Sequence, residues 1–173
     1  MYVVVTGPAG SGKSTLSRPL AERLGLPLLA KDDFKQALLE RVPVTRVEDS
    51  RATGRAAVLA MLSAARSHKR GVLDSVWVDR QAALREITEL QVSADVVEVF
   101  CRCEVDIMRR RYRARARTKG PGHFDDERDE AELWPEDALR PLAGPWPVVD
   151  VDTSVPVDVR EVAARVRRTR SHP

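Results

Sequence analysis

Aromatic residues are scarce in this sequence, at 5% of its 173 positions, so aliphatic side chains must carry the packing. Cysteine is scarcer. Cys101 and Cys103 are the only two, and their spacing places both on one face of a strand, where a disulfide between them would be strained. No further ligands are spaced around them to complete a zinc site. They read as two reduced core thiols, which suits a cytoplasmic protein. No stretch approaches the ~20 apolar residues of a membrane span. Residues Met1–Thr6 lack a charged leader region and read as a first strand rather than a signal peptide. A large charge imbalance is also missing: the net charge of +3 does not by itself argue for nucleic acid. No internal repeat or long linker divides the chain, so residues 1–173 are expected to form one domain, long enough to bury a core without disulfide or metal staples.

What is present is a steady alternation of short apolar runs with longer helical patterns, the signature of βαβ units and a mostly parallel sheet of five strands. Strands are expected at Tyr2–Thr6, Pro27–Ala30, Val72–Trp77, Asp95–Cys101 and Val148–Val151. The helix after the first strand carries Leu16, Leu20 and Leu24 on one face and has Pro19 inside it, where the missing N–H carries a cost. Further helices are expected at about 32–41, 51–68, 79–91, 104–118 and 157–168. In the second of these, Ala56, Leu59, Ala60 and Ser63 form the expected packing face.

The most informative segment is Gly7-Pro8-Ala9-Gly10-Ser11-Gly12-Lys13-Ser14, a full match to the G-x-x-x-x-G-K-[ST] phosphate cradle. It sits between an apolar strand and an amphipathic helix, the context the motif requires. Glycines let successive N–H groups turn inward toward an anion, and the helix that starts there adds the positive end of its dipole. Lys13 is placed to grip the β- and γ-phosphates of ATP or GTP and Ser14 to offer a hydroxyl to Mg²⁺. Gly7, Gly10, Ser11, Gly12 and Thr15 complete the nucleotide-binding set. The glycine spacing does not fit the G-x-G-x-x-G of a dinucleotide site.

Two acidic positions decide what happens to the nucleotide. Asp74 ends the apolar run Val72-Leu73, so it points toward the crevice at the strands' carboxyl ends. It reads as the second Mg²⁺-shell group, with a helix cap or turn as the alternative. The pair Asp32-Asp33 follows the second strand on the same side. One could cap the next helix and the other take a proton from an attacking hydroxyl, or both could be caps.

These residues resemble the small P-loop kinases of the nucleotide-kinase group, and are similar in particular to chloramphenicol phosphotransferase and the polynucleotide 5′-kinase domain. The shared elements run from Val3 to about Arg165. The resemblance implies the strand order 2-3-1-4-5, Asp32 as general base with Asp33 as its capping neighbour, and Lys35 beside the acceptor. It also implies a lid spanning approximately 109–134, in which Arg111 and Arg115 neutralise transition-state charge. The loop Asp152-Thr153-Ser154-Val155-Pro156 would pack against the adenine, bringing Ser154 to the nucleotide.

From Arg102 to Lys119 eight residues are basic, opposed only by Glu104 and Asp106. Arg111 pairs with Arg115 and Arg109 with Arg113 on helix faces, with Val105, Met108 and Tyr112 on the core side. A solvated basic face or a nucleic-acid surface are the other uses of such a helix. Gly120-Pro121-Gly122 suits a hinge, and His123 could contact the acceptor or simply pack. Trp77 and Arg80 could line the acceptor pocket, although Trp77 could equally be core. The expected function is ATP- and Mg²⁺-dependent transfer of a phosphoryl group to a hydroxyl of a small molecule. The alternatives are a polynucleotide 5′-hydroxyl kinase, a kinase acting on a nucleotide sugar, and a non-catalytic nucleotide-binding switch.

Overall fold

The computed structural model describes residues 1–116, 124 and 129–169. Five strands, β1 (Tyr2–Thr6), β2 (Leu28–Ala30), β3 (Gly71–Asp74), β4 (Val96–Arg102) and β5 (Val148–Asp152), form one sheet in the order β2-β3-β1-β4-β5. Every pairing is parallel, with Val5 opposite Asp74 on one side and Val99 on the other. The helices are α1 (Lys13–Leu24), α2 (Lys31–Leu39), α3 (Val47–His68), α4 (Arg80–Gln91), α5 (Val105–Ala116), the short α6 (Glu130–Leu133) and α7 (Val159–Arg168), with a 3₁₀ turn at Glu136–Leu139.

A parallel sheet covered on both faces needs strands that are apolar throughout, and all five residues of β1 are buried. Their alternation divides two cores. Tyr2 and Val4 face Met61, Leu62 and Ala65 of α3 and Ile87 and Leu90 of α4. Val3 and Val5 face Leu16 and Leu20 of α1 and Val162 and Val166 of α7. Leu16 and Leu20 each contribute roughly 1.5–3 kcal/mol of burial. Pro19 lies within α1, which runs on to Gly25; this glycine caps it in the left-handed conformation.

Three expectations are corrected. The third strand stops at Asp74 instead of Trp77, because the chain turns sharply after it and Trp77 takes a positive φ of 44°. In α3, which begins at Val47, the buried residues are Ser50, Ala57, Met61, Leu62 and Ala65. Ala56 and Ser63 are exposed and Leu59 is 60% exposed. The helix carries small residues all round, so methyl-sized positions did not mark its inner face, and Met61 and Leu62 fix it instead. Finally, α2 starts at Lys31 with Ala30 as its N-cap and no side-chain cap. Asp33 therefore lies inside the first turn and does not cap the helix; its carboxylate favours the positive end of the dipole.

Candidate active site

β1 delivers the chain to Gly7 at the carboxyl edge of the sheet. Gly7 and Gly10 adopt φ of 133° and 77°. A Cβ on Gly7 would lie 2.7 Å from the Cys101 carbonyl, and one on Gly10 would run into the carbonyl of Met108. Glycine is required at both because β4 and α5 approach the loop backbone so closely. Gly12 stands at the N-cap of α1 and supplies no side-chain cap, so the helix's first N–H groups face the loop's hollow, as an anion site needs.

Lys13 is buried, and its Nζ donates to Pro8 O at 2.6 Å across the loop. Burial pushes its pKa down to about 8, with Asp74 as the largest opposing influence. Asp74, also buried, has its carboxyl pushed above the usual range by burial, against the pull of Lys13 and of a hydrogen bond from the Ser14 hydroxyl. Asp32, half-exposed in the first turn of α2, pairs with Lys31 Nζ at 3.1 Å. Its charge acts on both Lys13 and Asp74. Lys13, Ser14, Asp74 and Asp32 thus form one electrostatic cluster, drawn from α1, β3 and α2.

The other sequence-selected residues fall in several places. Ser14 and Thr15 are exposed at the start of α1. Lys35 is buried, its Nζ donating to Ser50 Oγ at 2.7 Å between α2 and α3. Trp77 is 8% exposed and donates through Nε1 to Val5 O at 3.3 Å, within the core but facing a small crevice of about 20 Å³ beside Thr6 and Gly7. Arg80 lines the same crevice and donates to the carbonyls of Pro141 and Leu142. Asp32 is not in its lining. A larger groove at the β5 edge, lined by Arg165 and Arg168, is remote from these groups.

Arg111 lies over the cradle: its Nη2 donates to Thr153 O at 2.9 Å, and a Cβ on Gly12 would lie 3.7 Å from its Nη1. Arg115 stacks over Tyr112 and is near enough to Lys13 to lower its pKa. Arg109 and Arg113 pair with Glu130. Ser154 N donates to Asp152 Oδ1 at 2.9 Å, which holds that carboxyl below its ordinary value. Cys101 is buried and Cys103 partly so, and both are free thiols. His123, Arg117, Lys119 and the Gly120–Gly122 hinge lie outside the described residues.

Sequence reasoning does not reach three further residues. Glu98, fully buried in β4, accepts from Thr6 Oγ1, Leu142 N, Ala143 N and Trp146 Nε1, which ties the crevice's far wall to β1. Its signal was a lone carboxylate inside Val96-Val97-Glu98-Val99-Phe100. Thr153 donates from Oγ1 to Ser11 O at 2.6 Å, and Trp134 from Nε1 to Ala9 O at 2.9 Å. Trp134 had only the general scarcity of tryptophan to mark it.

The chain is similar to known proteins in sequence and in fold. The family described as AAA domain matches residues 3–133. The crystal structure of a candidate kinase from Chloroflexus aurantiacus is similar at 27% identity with a TM-score of 0.86, covering 97% of each chain. An uncharacterised protein of Mycobacterium tuberculosis is 35% identical over 126 residues, 65% of this chain and 25% of that protein. A cytidylate kinase of Cutibacterium acnes is 31% identical over 105 residues, 57% of this chain and 44% of its own. The chain spans about a quarter of the length of the mycobacterial relatives it matches.

Proposed function

The chain belongs to the AAA domain family, and from that premise we propose that it is an ATP-dependent kinase that transfers the γ-phosphoryl group to a hydroxyl of a small-molecule acceptor, with residues 1–173 acting as one P-loop kinase domain. The observation that carries the reading is the convergence of Lys13, Asp74 and Asp32 at the carboxyl edge of the sheet. A nucleotide switch needs the first two groups but has no use for the third.

In this reading the cradle N–H groups and Lys13 hold the β- and γ-phosphates. The Ser14 hydroxyl, hydrogen-bonded to Asp74, and the Asp74 carboxylate make an oxygen pair of the kind that suits Mg²⁺, which leaves most of its shell to phosphate and water. When bound there, Mg²⁺ neutralises charge on the phosphate oxygens. Asp32 orients the acceptor hydroxyl and accepts its proton, with Lys31 Nζ 3.1 Å from its carboxylate. Arg111 and Arg115 leave their resting contacts with Thr153 and Tyr112 to meet charge on the transferring group. Trp77 and Arg80 line the crevice assigned to the acceptor, and Lys35 and His123 are the further acceptor contacts of this reading. Ser154 and its loop border the adenine.

A small-molecule acceptor, rather than a polynucleotide, is favoured by how the basic helix spends part of its charge. Arg109 and Arg113 share the carboxylate of Glu130, which weakens the field that this part of the helix offers to a phosphate backbone. The test is acceptor-dependent ADP release from Mg-ATP across sugars, antibiotics, nucleosides and 5′-hydroxyl oligonucleotides. A small hydroxyl compound that raises ADP release well above the rate with water is the expected result. Release only with oligonucleotides would move the assignment to a polynucleotide kinase.

A further inference from the structure

Three carbonyls of the cradle are claimed by side chains. Pro8 O takes Lys13 Nζ. Ala9 O takes the Trp134 indole N–H at 2.9 Å, from the far end of the lid segment. Ser11 O takes the Thr153 hydroxyl at 2.6 Å, from the loop after β5. That hydroxyl also lies 2.9 Å from Arg102 O, and its single proton is assigned to Ser11 O, the closer of the two acceptors.

Both outer donors are themselves fixed. The Trp134 ring meets Tyr112 edge to face at 5.7 Å, has the Arg109 guanidinium over it, and closes a small cluster with Ala9 and Leu133. Thr153 is 5% exposed, bound through its N–H to Arg102 and through its carbonyl to Arg111.

In a trans peptide the C=O and the following N–H point in opposite directions. Holding Ala9 O toward Trp134 turns the Gly10 N–H the other way, and holding Ser11 O toward Thr153 does the same for the Gly12 N–H. Both glycines have φ open to either peptide orientation, so nothing in their own chemistry selects it. We infer that Thr153 and Trp134 are positioning residues that aim the Gly10 and Gly12 N–H groups into the cradle and so set its affinity for phosphate. This rests on the reading of residues 7–14 as a phosphate site. The two clamps come from opposite flanks: Trp134 ends the lid segment and Thr153 carries the contact to Arg111. The cradle's shape is therefore linked to the lid at both ends.

The test is calorimetric binding of Mg²⁺-tripolyphosphate, a probe with no base or sugar, to the parent and to Thr153→Val, Thr153→Ser and Trp134→Phe. Thr153→Val keeps the shape and removes the donor, Thr153→Ser keeps the donor, and Trp134→Phe keeps a ring and removes the N–H. The expected result is an affinity about 5- to 10-fold weaker in Thr153→Val and in Trp134→Phe, the worth of one hydrogen bond each, with Thr153→Ser close to the parent. Trp134→Phe carries the test by itself if Thr153→Val does not fold. Parent-like affinity in a folded Thr153→Val or Trp134→Phe, or no rescue by serine, overturns the inference. If the parent binds neither tripolyphosphate nor Mg-ATP, the phosphate-site reading itself fails.

Discussion

Lys13 offers a prediction whose size follows from its surroundings. Burial holds its pKa at about 8 in the free protein, so by simple titration it is about 90% charged at pH 7 and about 10% charged at pH 9. A phosphate charge ~4 Å away, at an effective dielectric of about 20, is worth ~4 kcal/mol, or about three pH units of stabilisation for the ammonium. The complex should then keep Lys13 charged past pH 10. Binding of Mg-ATP at pH 9 should take up about 0.9 proton, and affinity should fall about tenfold per pH unit above pH 8. The fold responds in the opposite direction. A lysine whose folded pKa is depressed binds fewer protons in the native state than in the unfolded one. The free protein should therefore gain stability as pH rises from about 8 towards the ordinary 10.5. Calorimetry at pH 9 in two buffers of different ionisation enthalpy measures the uptake, and Lys13→Arg, which stays charged, should abolish it. Flat affinity from pH 7 to 9.5 with no proton uptake would refute the placement of Lys13 against the phosphates.

Other outcomes follow from the same contacts. Arg111→Ala and Arg115→Ala should lower turnover by about 10³-fold or more, with Mg-ATP affinity changed far less; steady-state and binding assays separate the two, and unchanged turnover in both would remove these arginines from the chemistry. Acceptor binding should depend only weakly on salt, since each phosphate-backbone contact would add about −0.7 to the log–log slope for a single strand; a steep slope would mark a polynucleotide acceptor. Glu98→Leu would leave three buried donors, Thr6 Oγ1, Leu142 N and Trp146 Nε1, without an acceptor and should cost at least ~3 kcal/mol in chemical denaturation; a loss under about 1 kcal/mol would show that water or a rearranged loop replaces the carboxylate.

The parts of the fold that follow from local pattern could be read directly. β1 is apolar at every position, and the glycine spacing of residues 7–14 states its own purpose. The segment Val72-Leu73-Asp74 announces an acid at a strand tip. Legibility ends where the contact partner is distant in sequence. Thr153 reaches Ser11 across 142 residues and Trp134 reaches Ala9 across 125, and neither has a local signature. Glu98 breaks an apolar run, but its four donors come from two distant segments, Thr6 in β1 and the loop 142–146. The inner face of α3 was obscured by its alanines, which pack or face solvent at little cost either way. The expected cap at Asp33 failed for a different reason: β2 runs directly into α2, so the helix starts before the acidic pair and Ala30 takes the cap position. Asp32 is the harder case. Pattern put it on the right edge of the sheet, and the structure adds its coupling to Lys13 and Asp74.

That coupling makes Asp32 the most direct point of test. Single-turnover transfer of labelled γ-phosphate from Mg-ATP to the acceptor found by the ADP-release screen should be measured for the parent, Asp32→Asn and Asp33→Asn, alongside Mg-ATP affinity. The account predicts that all three bind Mg-ATP alike, that Asp32→Asn slows transfer about 10²–10⁴-fold, and that Asp33→Asn, exposed in the first turn, transfers almost as the parent does. Transfer at the parental rate by Asp32→Asn would contradict it.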